Sequence, residues 1–375
     1  MPGLYIHVPF CKQACHYCDF HFTTNLSRQA QMVSAMVREI ELQKDYLEDK
    51  ELTSIYFGGG TPSLLSGTHL ETIFDEITKW FRLSADCEIT LEANPDDLSL
   101  ANLKTFLESG INRLSIGIQS FDDKILKFLN RAHDRKMALE ALANVRGVGF
   151  QNISIDLIYA IPEQNNGILI DNLDASLQFS PEHVSAYALT IEEKTVFGNW
   201  LSKKKLVPVD ESINASQFEL LSESLTKHGY EHYEISNYAK PDKYSRHNSS
   251  YWKQEPYLGI GPSAHSYNIR SRQFNVSNNA TYLNSIANHE VPFRIEVLTQ
   301  ENKINEYVFT TLRTIWGCDL EKLKTDYSFD LLKESGDYIS ELTRGNLARI
   351  DNGFLKLTNQ GKLLADQISL ELMVG

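Results

Sequence analysis

The segment YIHVPFCKQACHYCDF, residues 5–20, holds three of the five cysteines in this chain, at positions 11, 15 and 18. Three thiols cannot all pair as disulfides, and they are one short of the four ligands of a structural metal site. The stretch 4–8 predicts a β-strand, which places the cysteines in the loop after it. Because the N-terminus shows no export signal, this cluster indicates metal binding or redox chemistry rather than structural bridges.

Three interpretations of the cysteine cluster remain open on the residues alone. A structural zinc site would take a fourth ligand from His7, His16 or His21. Independent reactive thiols would leave the tight spacing unexplained. A [4Fe–4S] cluster held by three thiolates would keep one iron free for a substrate or cofactor, and that open position would explain the missing thiol.

Strands and helices are predicted to alternate through the first half of the chain. This order favours a parallel sheet, open or rolled into a barrel, with its active site at the carboxyl ends of the strands. The predicted strands are 4–8, 54–57, 87–93, 113–119, 152–159 and 183–189, and the predicted helices are 27–47, 67–81, 100–109, 122–129, 134–146 and 167–179.

Polar or glycine-rich features stand at or near the ends of four of these strands. The run GGGTP, residues 58–62, follows the second strand, and Glu92 ends the third. Gln119 ends the fourth strand, and Asp156 lies late in the fifth. Because the carboxyl ends of parallel strands meet at one edge of a sheet, we expect these features to form a shared site.

The rest of the chain predicts two further units after a domain of residues 1–230. Residues 231–298 form a connecting region rich in aromatic residues and histidine. Residues 299–375 predict a small winged-helix-like domain, with helices at 301–316, 319–327 and 335–344, a hairpin at an Asp-Asn-Gly turn, and a last helix at 360–373. The two cysteines outside the cluster, Cys87 and Cys318, are interpreted as incidental small residues.

Composition limits the class of protein. The chain has 375 residues, 42% of them hydrophobic, which is enough for a large core. Its formal net charge of −13 argues against nucleic acid as a partner, although local arginines can still hold an anionic small molecule. No apolar run approaches the ~18 residues of a membrane span, and we predict a cytoplasmic protein.

The spacing Cys-x3-Cys-x2-Cys after the first strand, with Tyr17 before the last cysteine, resembles the radical S-adenosylmethionine (SAM) superfamily. In that superfamily the open iron of a [4Fe–4S] cluster binds the amino and carboxylate groups of SAM, which is cleaved to a 5′-deoxyadenosyl radical. The opening segment with YFGGGTP, LEANP, IGIQSF, NRAH and IDLIYAIP is similar to the HemN/HemW family of oxygen-independent coproporphyrinogen oxidases and their relatives. That resemblance implies a partial (β/α)6 barrel followed by a small C-terminal domain.

The same resemblance implies the site residues. Cys11, Cys15 and Cys18 would hold the cluster. The glycines would let the amino group of SAM approach main-chain carbonyls, Glu92 would bind a ribose hydroxyl, and Arg131 would pair with a carboxylate. The full implied set of SAM-binding residues is Tyr5, Tyr17, Gly59, Gly60, Thr61, Glu92, Gln119, Arg131, Asp156 and Ala188.

Two features separate the branches of this family. Phe20 stands where the oxidases have a further cysteine. The stretch HNSSYW, residues 247–252, resembles the HNxxYW motif of the heme-binding HemW branch, which lacks oxidase activity. A neutral imidazole is a common axial ligand of heme iron, and aromatic rings suit a flat macrocycle, so His247, Tyr251 and Trp252 are the predicted heme contacts. His265 is a weaker candidate.

These observations lead to the hypothesis of a heme chaperone that binds a [4Fe–4S] cluster, SAM and heme, and passes heme to apo-proteins of the respiratory chain. The resemblance also implies peripheral membrane contact and a homodimer. The main alternative is an oxygen-independent coproporphyrinogen III dehydrogenase that uses a second SAM through Gln119, Arg131 and Asp156. A third possibility is a radical SAM enzyme that acts on another tetrapyrrole such as heme.

Overall fold

Six parallel strands form the centre of the protein, in the computed structural model that describes residues 2–375. They pair in sequence order and match the predicted strands, which confirms the partial barrel. The strands are β1 (Gly3–Val8), β2 (Glu51–Gly59), β3 (Arg82–Ala93), β4 (Arg113–Gln119), β5 (Ile153–Tyr159) and β6 (His183–Ala188).

Helices follow the first five of these strands and cover the outside of the barrel. They are α1 (Gln29–Leu42), α2 (Gly67–Trp80), α3 (Leu100–Glu108), α4 (Asp123–Phe128), α5 (Arg135–Val148) and α6 (Asn166–Leu177), with short 3-10 helices at Leu26–Arg28, Pro62–Leu64 and Pro95–Asp97. Strands β2 and β3 begin earlier than predicted, because Glu51 pairs with Arg82 in a polar extension of the ladder that hydrophobic periodicity does not reveal.

The segment after β6 adds strands to both edges of the same sheet. Strand β8 pairs antiparallel with β6, whereas β9 pairs parallel with β1, so the sheet has twelve strands in all. The elements are α7 (Val196–Ser202), α8 (Glu211–Lys227), β7 (Glu231–Glu234), β8 (Asn237–Ala239), α9 (Arg246–Trp252), β9 (Tyr257–Ile260), β10 (His265–Tyr267), β11 (Ser271–Asn275), α10 (Asn279–Ala287) and β12 (Phe293–Val297).

The C-terminal residues form a smaller unit with its own apolar core. Asn352 and Gly353 both have positive φ angles, of 50° and 86°, as a type I′ hairpin turn requires, and the predicted hairpin is present. The elements are α11 (Gln300–Leu312), β13 (Cys318–Asp319), α12 (Leu320–Asp326), α13 (Leu331–Arg344), β14 (Ala348–Asp351), β15 (Phe354–Leu357), α14 (Asn359–Lys362) and α15 (Ala365–Glu371). None of the helices in residues 2–375 has the length and apolar composition to cross a membrane.

The strands of the barrel have one apolar face and one polar face. In β1, Leu4 and Ile6 are fully buried against the outer helices, whereas Tyr5 and His7 point inward. The strand register places polar residues of neighbouring strands side by side on the inner face, such as Glu92 beside Ser115. The barrel interior is therefore a polar lumen that opens at the carboxyl ends of the strands.

Glu39 of α1 connects the barrel to the strands added by the second half of the chain. Its fully buried carboxylate accepts hydrogen bonds from Gly261 N at 2.7 Å, Asn275 Nδ2 at 2.6 Å and Tyr282 Oη at 2.6 Å. Burial raises the pKa of Glu39 to about 7, although these donors favour the ionised form. A single side chain thus links three segments that are far apart in sequence.

The raised pKa of Glu39 predicts a pH-dependent stability. The folded state holds a proton that the unfolded chain, with an ordinary pKa of 4.5, releases, so stability is lost as the pH rises through about 7. We expect the free energy of unfolding of the wild type, minus that of Glu39→Gln, to fall between pH 5 and pH 8, at most by about 1.4 kcal/mol per pH unit. Urea unfolding at several pH values measures this difference, and the exposed Glu71→Gln is the control. A difference that does not change with pH would contradict the assignment.

Candidate functional site

The three clustered cysteines lie in a loop after β1 that is closed at its neck by backbone hydrogen bonds. We call residues 11–22 the cysteine loop. Cys11 N donates to Thr23 O at 3.0 Å, and Thr23 N donates to Pro9 O at 3.0 Å. Further along, His16 N donates to Leu129 O at 3.1 Å, which ties the loop to the end of α4. These contacts hold the three thiols over the carboxyl ends of the strands.

The glycine run after β2 is packed against the backbone that leads into the cysteine loop. Gly60 N donates to Val8 O at 2.9 Å, and Thr61 N donates to Phe10 O at 2.7 Å. A Cβ atom on Gly60 would lie 2.6 Å from Phe10 O and 2.8 Å from Val8 O, which no side chain tolerates. Gly59 has a φ of 103° and so also requires glycine. The run thus fixes the position of the cysteine loop through close backbone contact.

Cys11, Cys15 and Cys18 are free thiols that line one cavity of about 540 Å³. Burial raises the pKa of Cys11 to about 11 and that of Cys18 to about 12, so binding of iron must displace their protons. Among residues 2–375, no three His, Cys, Asp or Glu side chains converge on a point where a single metal ion could bind. Three thiols around one larger cavity fit a [4Fe–4S] cluster.

The histidines that a zinc site would need make other contacts. His7 Nε2 lies 2.8 Å from His21 O, and His16 Nδ1 lies 2.9 Å from Phe128 O. His21 Nε2 lies 2.8 Å from Asn279 Oδ1. Each histidine therefore has at least one ring nitrogen engaged by another part of the fold.

Arg131 is the buried cation of this cavity, which we call the first cavity. Its Nη2 donates to Asn94 Oδ1 and to Gly117 O, each at 2.6 Å, and its Nη1 lies 3.3 Å from Cys15 Sγ and 3.5 Å from Tyr17 Oη. Its Nε atom is buried and finds no hydrogen-bond partner in the described chain. The guanidinium is therefore fixed in position beside the thiols, with one buried donor left unsatisfied.

Two carboxyl groups line the first cavity from neighbouring parts of the barrel. Tyr56 Oη donates to Glu92 Oε1 at 2.8 Å, and Ser115 Oγ lies 3.0 Å from Asp156 Oδ2. Burial raises the pKa of Glu92 to about 7, and it raises the pKa of Asp156 as well. Both groups are held by hydroxyl donors, which leaves acceptor oxygens facing the cavity.

Most of the predicted SAM-binding residues line the first cavity. Gln119 has a φ of 66°, in the left-handed region, at an irregularity in the pairing of β4 with β5. Tyr17 is enclosed beside Arg131, and burial raises its pKa. The predicted residues that the structure brings together here are Tyr17, Gly59, Gly60, Thr61, Glu92, Gln119, Arg131, Asp156 and Ala188.

Sequence reasoning missed several residues of the first cavity. Asn94 positions Arg131 and also donates from Nδ2 to Thr61 Oγ1 at 3.1 Å; its place just after β3 was the available signal. Tyr187, which precedes the predicted Ala188, lines the cavity with 45% of its surface exposed. Asn248 of the HNxxYW motif also reaches this cavity.

His247 lies outside both cavities, in the aromatic interior beneath β1 and β2. It is 1% exposed and stacks on the ring of Tyr56 at 5.0 Å. Its Nδ1 lies 2.9 Å from Ser54 Oγ, and its Nε2 lies 2.8 Å from Tyr251 Oη. Because both ring nitrogens are engaged, His247 can coordinate iron only if one of these hydrogen bonds breaks.

A second cavity of about 680 Å³ adjoins the first. It is lined by Tyr251 and Trp252, two predicted heme contacts, and by Tyr5, which was predicted for the first cavity. Tyr5 faces this side because its inward-pointing ring lies beside strand β9, which pairs with β1 on that edge. Asp19 and Phe20 of the cysteine loop line both cavities and form the wall between them.

Comparison with known families identifies two regions of the chain. Residues 5–174 match the radical SAM superfamily, and residues 298–364 match the HemN C-terminal domain. The heme chaperone HemW of Bacillus subtilis is 35% identical over 98% of this chain and 98% of its own length. The HemW of Lactococcus lactis is 34% identical over 97% and 95% of the two chains.

The HemW of Escherichia coli is 38% identical over 70% of this chain and 69% of its own length. Among solved structures, the coproporphyrinogen III oxidase HemN of Escherichia coli superimposes with a TM-score of 0.86. The match covers 100% of this chain and 90% of that protein at 22% identity. At that level of identity the similarity establishes the fold and leaves the reaction open.

The packing at Gly60 predicts the effect of one added methyl group. We expect Gly60→Ala to displace the cysteine loop, to lower the iron and sulfide content after anaerobic reconstitution, and to destabilise the protein by about 1–3 kcal/mol. Metal and sulfide analysis and thermal unfolding measure these effects.

Gly147→Ala is the matched control for this substitution. A Cβ atom at Gly147 meets no atom within 4 Å, and alanine in the last turn of helix α5 should stabilise by at most about 1 kcal/mol. Equal iron, sulfide and stability in the wild type and Gly60→Ala would contradict the role given to Gly60.

Proposed function

The chain belongs to the HemW family of the radical SAM superfamily, and on that premise we propose that it is a heme chaperone. Membership in the superfamily implies a [4Fe–4S] cluster and SAM. The observation that carries the proposal is the pair of adjoining cavities, one lined by three thiols and the other by aromatic rings and histidines. We propose that the first holds the cluster with SAM, and that heme is the cargo.

The residues of the first cavity suit the separate parts of SAM. When bound, the cluster would supply an open iron and an electron to SAM. The backbone at Gly59 and Gly60 has no side chain to keep an amino group away. Glu92 offers a carboxylate oxygen to ribose hydroxyls, while Arg131 supplies the positive charge that favours a carboxylate. Gln119, Asp156 and Ala188 complete the wall on the side of β4, β5 and β6.

The HNxxYW motif supports the heme part of the proposal in two ways. Tyr251 and Trp252 present aromatic surface to the second cavity, as a macrocycle requires. His247 positions Tyr251 through the 2.8 Å contact between Nε2 and Oη, and Ser54 holds the other side of the imidazole. Loss of His247 would therefore disturb the wall of the cavity even without direct contact with heme.

The remaining parts of the proposal concern compartment and partners. All five cysteines are free, and a cluster with thiolate ligands suits the reducing cytoplasm. The proposed acceptors are heme-free apo-proteins of the respiratory chain, reached by peripheral contact with the membrane. The proposed assembly is a homodimer, and a net charge of −13 supports a protein without a nucleic-acid partner.

The heme chaperone and the coproporphyrinogen III dehydrogenase predict opposite results in one pair of assays. We expect the anaerobically reconstituted protein to bind heme, with a Soret band that saturates at a fixed stoichiometry, and to pass it to a heme-free respiratory cytochrome. Given coproporphyrinogen III, SAM and a reductant, it should yield no protoporphyrinogen.

A Cys15→Ser variant is the control for the contribution of the cluster. Formation of protoporphyrinogen by the wild type, but not by Cys15→Ser, would establish a cluster-dependent dehydrogenase activity. It would rule out a function as a chaperone alone. A heme-opened or methylated product found with heme as substrate would instead establish a third enzyme class.

A further inference from the structure

We propose that heme binds in the second cavity and that His265, rather than His247, is the protein ligand of its iron. This inference rests on the proposed function and adds the place and the ligand. Five segments meet at the cavity: strand β1, the cysteine loop, the end of α9, the strands β9 to β11, and α11 of the C-terminal unit. Its volume of about 680 Å³ is within the range of ~300–1,000 Å³ that is usual for sites of small molecules and cofactors.

The walls of the second cavity suit a flat, apolar ring system. Tyr5, Tyr251, Trp252, Tyr257 and Tyr267 all contribute aromatic surface to it. Tyr251 and Tyr257 contact each other edge to face, with ring centres 4.6 Å apart. Such rings offer large contact area with few rotatable bonds, which favours a rigid macrocycle over a flexible polar ligand.

Three imidazoles line the second cavity, and their hydrogen bonds distinguish them. His7 is buried, with Nε2 on His21 O and Nδ1 3.2 Å from Tyr5 Oη. His21 uses Nε2 on Asn279, across the sheet edge. The side chain of His265 makes a ring contact with Phe274 at 4.7 Å, and neither of its ring nitrogens has a hydrogen-bond partner among residues 2–375. His265 is thus the imidazole with both nitrogen atoms available.

The surroundings of His265 also favour its neutral form. His265 lines the cavity as an exposed residue, while its ring is partly enclosed, in contact with Phe274. Burial, followed by the positive charge of Arg272, lowers the pKa of His265. A neutral imidazole has the lone pair that heme iron requires, so this environment supports the geometric argument.

One cationic group faces the cavity where the heme propionates need it. Arg272 is the only lysine or arginine among the lining residues that the structure describes. Its Nη2 lies 2.7 Å from Glu306 Oε1, and its side chain is 36% exposed. A guanidinium has five N–H donors, so Arg272 can keep Glu306 and still bind a propionate. Asp19 and Glu255, which also line the cavity, are acidic and would repel a propionate, so the propionate edge should face Arg272.

Heme titration of the anaerobically reconstituted holoprotein, followed by Soret absorbance and by EPR of the ferric heme, tests the ligand. We expect His265→Ala to weaken binding by about tenfold or more, with a shifted Soret maximum. Added imidazole should restore the wild-type spectrum, which also shows that the variant is folded. His265→Tyr should give a ferric phenolate spectrum.

Two further variants make the test specific. His228→Ala removes an exposed imidazole at the end of α8, outside the cavity, and should behave as the wild type. His247→Ala should lower the heme affinity, because it disturbs the cavity wall at Tyr251, but should keep the wild-type Soret maximum and ferric EPR signal, since it leaves His265 in place. If His265→Ala keeps the wild-type affinity and spectrum while His247→Ala loses both, the ligand assignment is overturned and heme binding stands. If the wild type binds no heme, both the ligand assignment and the proposed heme chaperone function are wrong.

We also infer, from a different observation, that strand β12 pairs with β12 of a second copy of this chain. β12 is an edge strand of the twelve-stranded sheet, and all five of its residues are exposed. Phe293, Ile295 and Val297 alternate along it, with 44%, 61% and 73% of their surfaces exposed. An exposed apolar edge is a template for pairing unless it is covered.

The sequence of β12, FRIEV, is self-complementary in one antiparallel register. With a twofold axis through Ile295, Phe293 lies opposite Val297 of the other copy, and Arg294 lies opposite Glu296. The apolar side chains then meet on one face and opposite charges meet on the other. Cross-strand pairs of both kinds stabilise antiparallel sheets by roughly 0.2–1 kcal/mol each. The opposite charges of Arg294 and Glu296 and the alternating apolar residues therefore favour a second copy of this chain as the partner of β12.

Reversal of charge tests this register directly. Arg294→Glu places like charges opposite each other twice in the dimer, and we expect the dimer dissociation constant to rise about tenfold. The double variant Arg294→Glu with Glu296→Arg restores complementarity and should restore the dimer. Ile295→Lys should abolish it, whereas Leu370→Lys on α15 is the exposed control. Sedimentation over a range of concentrations measures these constants. A monomeric wild type, or a dimer that Ile295→Lys leaves intact, would overturn the inference.

Discussion

Arg113 places a guanidinium inside the barrel lumen, 1% exposed, with Nε 3.9 Å from Glu88 Oε2 and Nη1 3.5 Å from Thr90 Oγ1. A buried charge needs a counter-charge, and Glu88 supplies it. The other oxygen of Glu88 accepts from the backbone N–H groups of Arg246 and His247, at 2.9 and 3.2 Å. The ion pair thus anchors the start of helix α9, and with it the HNxxYW motif, to the floor of the barrel.

The same guanidinium influences the charges of its neighbours. It opposes the effect of burial on Glu92 and Asp156, whose pKa values would otherwise rise further. Burial, then the positive charge of Arg113, lowers the pKa of His247 to about 3, and the same two causes lower that of His183. The lumen therefore keeps its imidazoles neutral while its carboxyl groups stay within reach of ionisation. At the first cavity, the guanidinium of Arg131 therefore stands beside carboxyl groups that can accept hydrogen bonds.

The sequence predicted the barrel and most of the first cavity because their signals are local. A strand, a turn and a polar residue at the strand end lie next to each other in the chain, as at Glu92 or Gln119. The second cavity had no such signal. It is formed by segments as distant as Tyr5 and Arg272, and its strands are short and rich in polar residues. His247 was recognisable as part of a motif, but no sequence pattern reveals that Ser54 and Tyr251 engage both of its nitrogens.

Strand β1 has its two neighbours at very different distances along the chain. It pairs with β2, which follows soon after, and with β9, where Gly3 lies beside Tyr257. During synthesis the second neighbour emerges only after the whole barrel, so β1 remains an open edge for most of translation. The long loop that must close before β9 can dock makes this pairing slow. The contacts of the cysteine loop with Thr23 and Leu129 lie within the barrel, whereas the second cavity is complete only after β9 to β11 have docked.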